Sequence, residues 1–310
     1  MDTTTRRRMQ GTTYPMMVIG QDKLAYSVVS NLLSAGQEVL LLTADKESAE
    51  RAIYEEIGMG YKNLQIQTAW PSTISSELVI LVTKDQVDTK VDLIRQIEDK
   101  ATEKTIIATN IEAVHLDELQ AHSRNPSKIF GLNWTYPAHR TFFAEIVAND
   151  SSDANDLERL FAWAKESWRK DPYIVKTGFS TRARMLAAMI REGLYLVENG
   201  YASIESVDRA CRNDAGYYLP FAGNFRYMDL MGTYAYGMVM EGLNKELSAM
   251  DSLPKTLQEM KYKGEGGMDS GQGFYAYSSA EKAHWQAIFE AFSQEIQELI
   301  LKYPHEPLDH

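Results

Sequence analysis

The chain has a single cysteine, Cys211, so no internal disulfide can form, and the sequence suits a reducing compartment such as the cytoplasm. Cys211 lies in Asp208-Arg209-Ala210-Cys211-Arg212, a helical stretch with no histidine near it, which fits a structural thiol better than a nucleophile. Cations are also short: 32 Lys and Arg against 43 Asp and Glu leave a formal charge of −11. That balance argues against a nucleic-acid partner, because phosphate contacts need clustered Lys and Arg. The one basic run, Arg6-Arg7-Arg8, precedes the first apolar segment, and residues 1–14 read as a flexible tail. No apolar run approaches the roughly 20 residues that span a bilayer, so no membrane partner is expected. Met16-Met17-Val18-Ile19 is too short for the core of a signal peptide, about 7–15 residues. No His or Cys spacing suggests zinc and the acids are scattered, so no metal is expected.

What is present is an alternation of short apolar runs and amphipathic stretches. Met16 to Ile19, Glu38 to Thr43, Leu78 to Val82, Thr105 to Ala108, Ile129 to Leu132, Phe142 to Val147 and Pro172 to Val175 read as strands. Between them, Leu24, Val28, Val29, Leu32 and Leu33 fall at helical spacing, as do Val87, Val91, Ile94 and Ile97. Runs apolar on both faces, alternating with helices, predict an α/β domain with a parallel, doubly wound sheet covered on both sides. Ligands of such sheets bind at the C-terminal strand ends, near the switch point in strand order. From Thr181 onward helix signals dominate, near 182–199, 203–214 and 224–248. Ser278-Ser279-Ala280-Glu281 has capping-box spacing and opens a helix with an apolar stripe through Trp285, Phe289 and Phe292. Packing inside its own domain is the simpler expectation for that stripe, a subunit interface the alternative. Tyr217, Tyr218, Tyr227, Tyr234 and Tyr236 form an aromatic-rich patch that suits core or dimer packing.

Four stretches resemble the 3-hydroxyacyl-CoA dehydrogenase family in order and nearly in spacing. Val18-Ile19-Gly20 with Ala35-Gly36-Gln37-Glu38-Val39 looks like its opening strand–turn–helix–strand. Phe130-Gly131-Leu132-Asn133-Trp134-Thr135-Tyr136-Pro137 and Glu145-Ile146-Val147 resemble its G-L-H-F-F-N-P and V-E-V strands. Glu192 through Ser203, with Gly223-Asn224-Phe225 after it, is similar to its helix-pair motif. Gly267 and Gly271 through Tyr277 look like its closing G-x-x-x-G-x-G-F-Y-x-Y. The resemblance implies an N-terminal Rossmann-type NAD domain over 15–175, a helical dimerisation and substrate domain over 176–277, and a likeness to enzymes of fatty acid metabolism. It further implies a homodimer acting on a small acyl substrate. The helix and tail of 278–310 extend beyond the family's usual end.

By the same resemblance, the cofactor positions are Gly20, Asp22, Ala25, Thr43, Asp85, Lys90 and Asn110. In G-x-G-x-x-G the second glycine lets backbone approach the pyrophosphate, and here that position is Asp22. Thr43 replaces the acid that would hold the adenosine ribose. This leaves NAD the expected cofactor with an impaired motif, and NADP open, with Lys46 the only cation near the second strand's end. The catalytic pair of the family is a His oriented by a Glu; the Glu is Glu145, and the His position is Asn133, an amide with no useful basicity. His139, six residues on, either swings toward Glu145 or sits as a surface loop residue. His115 and His122 are expected in solvent. Glu112, Tyr136 and Arg182 match substrate-side positions, Glu112 replacing a Ser. The reading is an oxidoreductase of a hydroxy- or oxoacyl compound by descent, weak or inactive on the usual substrate. The rival is a non-catalytic scaffold that binds a small acidic ligand or a partner.

Overall fold

Residues 16–58 and 62–303 are described by a computed structural model; the 1–14 tail and its arginines lie outside the described residues. The chain divides into two units, through Ala183 and from Arg184. In the first, β1 (Met16–Ile19), β2 (Val39–Leu42), β3 (Leu64–Gln67), β4 (Leu78–Leu81), β5 (Ile106–Thr109), β6 (Ile129–Asn133), β7 (Phe143–Val147) and β8 (Asp171–Val175) form one sheet. Its order is β3-β2-β1-β4-β5-β6-β7-β8, every neighbour parallel except β6 and β7. Strand order therefore reverses direction between β1 and β4, which opens the ligand crevice expected of a doubly wound sheet. β3 had no clear sequence signal, because Leu64-Gln65-Ile66-Gln67 alternates over only four residues at a sheet edge.

Successive strand residues point to opposite faces, and each face has its own core. Met16, Val18, Leu78 and Ile80 pack with α1 (Lys23–Ser34), α2 (Lys46–Ile57) and α5 (Ala154–Ala162). Met17, Ile19, Val79 and Leu81 pack with α3 (Val87–Glu98) and α4 (Leu116–Gln120). Val28, Leu32, Ile94 and Ile97 are fully or almost fully buried. Each such side chain contributes roughly 1.5–3 kcal/mol of burial free energy. The strand runs are apolar throughout because both faces need them.

Two glycines are required by close approach. A Cβ on Gly20 would stand 2.5 Å from Ala25 Cβ and 2.7 Å from the Val82 carbonyl oxygen, so α1 could not pack against the crevice edge. A Cβ on Gly131 would stand 2.6 Å from Ile111 Cδ1 and 2.8 Å from Val147 Cβ. That gap lets the segment after β5 close over β6.

The second unit is helical. α6 (Thr181–Glu198) enters it, followed by α7 (Ile204–Ala210), α8 (Gly216–Met231), α9 (Thr233–Leu243), α10 (Lys255–Lys263) and α11 (Ser279–Lys302). The expected helix over 224–248 is interrupted at Gly232 and ends at Leu243. The Ser278 hydroxyl accepts from the Glu281 amide and the Glu281 carboxylate accepts from the Ser278 amide, the capping box expected from sequence. Tyr218 and Tyr227 stack at 3.9 Å, whereas Tyr217 and Tyr234 are exposed. Among the described residues of this unit, Leu194, Ala222 and Pro254 are the buried apolar residues, Gly273 aside. Trp285, Ile288, Phe289 and Phe292 on α11 are exposed, so packing within the domain does not cover that stripe. Among the described residues no helix is long and apolar enough to cross a membrane.

Candidate active site

The C-terminal strand ends carry two groups of expected site residues. Around β1, β2 and β4 lies a cleft of about 520 Å³ lined by Gly20, Asp22, Thr43, Trp70, Lys84 and Gln86, among others. Asp22 is the N-cap of α1, and its Oδ1 accepts from the Ala25 amide at 2.9 Å. A carboxylate thus occupies the positive end of the helix, where a phosphate would otherwise find free N–H groups. Thr43 is buried, and its hydroxyl pairs with the Tyr26 hydroxyl at 3.2 Å. Lys46 faces Glu50 at 3.6 Å on its own helix. Ala25 lies in the core, where Gly20 meets it. Trp70, with no mark in the sequence patterns, is half-buried at the cleft wall.

Across the sheet, Asn133, Glu145 and Tyr173 stand abreast on β6, β7 and β8 by strand register. Asn133 Nδ2 donates to Glu145 Oε2 at 2.7 Å, and Asn133 Oδ1 accepts from the Ile111 amide at 2.7 Å. Both polar ends of a side chain 1% exposed are therefore committed to the frame. Glu145 is fully buried and also accepts from Tyr173 Oη at 2.9 Å, Ser180 Oγ at 2.5 Å, and the amides of Thr181 and Arg182 at 3.0 Å each. Burial presses its carboxyl upward, but the bonds from Ser180, the Arg182 amide, Asn133 and Tyr173 outweigh this and hold it below the usual glutamate range. Burial and the bond to Glu145 push the Tyr173 phenol up. Glu145 so caps the start of α6, joining β6, β7 and β8 to a helix N-terminus.

Beside this rank, Asp85, Lys90 and Asn110 meet. Lys90 Nζ is buried, 3.1 Å from Asn110 Oδ1 and 3.7 Å from Asp85 Oδ1. Burial lowers its ammonium to about 8, with Asp85 acting in the opposite direction. Asp85 Oδ2 accepts from three successive amides, Glu112 at 3.1 Å, Ala113 at 2.5 Å and Val114 at 3.2 Å. Those bonds fix the loop that carries Glu112. Glu112 Oε1 in turn accepts from Arg182 at 2.6 Å, with both side chains partly exposed. The Arg182 guanidinium lies over the Phe143 ring at 5.6 Å.

His139 does not meet Glu145, and it is not a surface residue. Its side chain is 6% exposed, with Nδ1 3.4 Å from Glu56 Oε2 and 3.3 Å from Ser27 Oγ. It is drawn inward because Ser27 Oγ also accepts from the Ala138 amide at 2.8 Å, anchoring the loop to α1. Lys170 Nζ donates to the Ala138 and Thr141 carbonyls of the same loop, and burial lowers its ammonium to about 7. Tyr136 lies under Lys23 Nζ at 5.4 Å. His115 and His122 are exposed as expected. Sequence patterns missed Ser180, Tyr173 and the Ile111 amide as partners. Ser180 had one readable signal, a Ser directly before a helix, and it caps Ala183 at 3.0 Å.

A doubly wound domain with its crevice at the β1–β4 reversal, followed in the chain by a helical unit, is the architecture of a dinucleotide-binding protein of two parts. Residues 26–177 match the NAD binding domain of 3-hydroxyacyl-CoA dehydrogenase and residues 178–277 match its C-terminal domain. The chain belongs to the 3-hydroxyacyl-CoA dehydrogenase family. It is 24% identical over 292 residues to 5-formyl-3-hydroxy-2-methylpyridine 4-carboxylate 5-dehydrogenase of Mesorhizobium japonicum, covering 87% of this chain and 93% of that protein. A crystal structure of an enzyme of that name, described as an NAD+ dependent dismutase, superposes with a TM-score of 0.82 at 21% identity, over 95% of this chain and 100% of that one. The fatty acid oxidation complex subunit alpha of Shewanella amazonensis is 24% identical over 217 residues, 69% of this chain. The chain spans only 30% of that longer protein.

Proposed function

We propose that this protein is a divergent nicotinamide-linked oxidoreductase for a small hydroxy- or oxoacyl compound, with weak or no turnover of 3-hydroxyacyl-CoA. The carrying observation is Asn133. It is buried, with its oxygen bonded to the Ile111 amide and its nitrogen to Glu145, and an amide brings no base to a substrate. The family's proton relay needs an imidazole there, and general acid–base catalysis is worth about 10²–10⁴ in rate. The relative named for a pyridine carboxylate supports a changed substrate within this frame. Among its described residues the stretch between β2 and β4 holds one helix and one edge strand, leaving little room for a helical hairpin that would grip coenzyme A.

Asp22 favours a second reading, a non-catalytic scaffold for a small acidic ligand. Its carboxylate sits on the α1 N-terminus, so an NAD pyrophosphate does not fit this seat as it stands. Thr43 likewise brings no acid to a ribose.

Thermal shift with NADH and NADPH separates the two, since a ligand that binds only the folded state raises Tm. A shift with NADH, and little reduction of acetoacetyl-CoA, is the expected outcome. No shift at millimolar cofactor sinks the oxidoreductase reading.

We further infer a homodimer through the second unit. Met185, Met189, Phe225, Met238 and Val239 are all about half or more exposed, and few apolar residues of this unit are buried. Obligate dimer interfaces bury roughly 2,000 Å² or more and resemble a core cut in half. Light scattering at micromolar concentration should give twice the chain mass of 35.1 kDa. A monomer there removes this inference.

A further inference from the structure

Of the charged side chains at the β5–β8 edge, most are already spent. Lys90 is buried against Asn110 and Asp85, Asp85 Oδ2 holds three amides, and Glu145 accepts five bonds. Glu112 and Arg182 differ. They are 38% and 28% exposed at the side chain, and they pair through one contact, Nη1 to Oε1 at 2.6 Å. A guanidinium carries five donors and a carboxylate two acceptor oxygens, so each keeps capacity in hand. Phe143 under the guanidinium face, at 5.6 Å, leaves its hydrogen-bonding edges as the groups open to a ligand. Glu112 is held in place from behind, since its own amide donates to Asp85. An ion pair this exposed contributes little and exchanges readily with a competing ion.

We propose that Arg182 and Glu112 together read a free hydroxycarboxylate. Arg182 takes the ligand carboxylate on its open edge, and Glu112 accepts the hydrogen of the ligand hydroxyl. A guanidinium fork matches a carboxylate in two parallel bonds, which an ammonium cannot reproduce. Glu112 supplies the discrimination: a carboxylate without a hydroxyl meets its negative charge with no donor to offset it. This rests on the substrate-side reading of this edge and gives its ligand class, a free acid in place of a thioester. It does not depend on cofactor binding or turnover.

The test is isothermal titration of the full chain, without cofactor, using three pairs of acids. These are 3-hydroxybutyrate with butyrate, malate with succinate, and 3-hydroxybenzoate with benzoate. At least one hydroxy acid should bind roughly tenfold tighter than its partner lacking the hydroxyl, and its methyl ester should bind weakly or not at all. Arg182→Lys should weaken that acid by about tenfold, with Tm unchanged because the residue is partly exposed. Glu112→Ala should bring the hydroxy acid and its partner to nearly equal affinity. Binding that ignores the ester or Arg182→Lys overturns the assignment, as does the failure of all three hydroxy acids to bind. A shift with NADH but no acid binding sinks this proposal alone. Acid binding without any NADH shift sinks the oxidoreductase reading alone.

Discussion

Asn133 gives its side-chain N–H to Glu145 at 2.7 Å across the one antiparallel pair of the sheet. The bond keeps the geometry of an orienting carboxylate while the group it orients has no basicity. Its other end, bonded to Ile111, ties β6 to the loop after β5. Asn133 thus acts as a strut between β6, β7 and that loop.

Asn133→His tests that statement. Glu145 can hold an imidazole by one N–H, leaving the second nitrogen as a base. The Ile111 amide would lose its acceptor, at about 1–3 kcal/mol. Reduction of acetoacetyl-CoA by NADH should rise roughly tenfold or more. The urea midpoint should fall at the same time. An unchanged rate would mean that residue 133 does not face the reacting atoms.

Much of this was legible beforehand, and the reason is burial. Runs such as Leu78 to Val82 are apolar on both faces because two cores need them, so strands and fold class could be read directly. Glu145, Asp85, Lys90 and Asn110 were singled out by the family resemblance, and the structure brings the last three together. What could not be read depends on strand register or long-range packing. Tyr173 reaches Glu145 only because β8 pairs with β7, residue 173 opposite 145. His139 goes inward through Ser27, which is 112 positions away, and no local pattern encodes that contact. The stripe on α11 was visible, yet helical periodicity says only that a face is apolar, not what covers it.

Glu145→Gln should destabilise the fold by about 2–4 kcal/mol, since an amide N–H would then face donors in a buried site. The pH profile carries a second signature. The folded carboxyl lies below its ordinary value of 4.5, so its contribution is complete above that value and lost as pH falls through the folded one. The wild-type urea midpoint should drop as pH falls below about 4.5, and the variant should lose less over the same fall. Parallel curves would assign the acid lability to other carboxylates.

Lys170 and Lys90 act at the alkaline side with a slope of the same sign. Their folded values, about 7 and about 8, lie below the ordinary 10.5. Between these limits the unfolded chain binds more protons, so stability should rise with pH, by at most about 1.4 kcal/mol per pH unit for each group. Urea unfolding from pH 7 to about pH 9.5 reads this directly. Lys170→Met should flatten the rise while lowering stability at the alkaline end, where it leaves the Ala138 and Thr141 carbonyls unpaired. A wild-type profile that falls over this range contradicts the burial of both charges.

Asp22→Gly isolates the phosphate seat. The native carboxylate bonds the Ala25 amide and places negative charge where a pyrophosphate would rest. Glycine at an N-cap costs only a few tenths of a kcal/mol relative to Asp, so the fold should be nearly unaffected. Removing the charge and freeing the amide should tighten NADH by roughly two- to fivefold, because charge at an exposed helix N-terminus is worth about 0.3–1 kcal/mol. Gly20→Ala is the matching control. Its Cβ would meet Ala25 at 2.5 Å, so it should lower Tm with or without cofactor. Fluorescence titration of NADH against the two variants separates the effects. Equal affinity in wild type and Asp22→Gly would mean that the dinucleotide, if it binds, does not lay its phosphates on α1 at all.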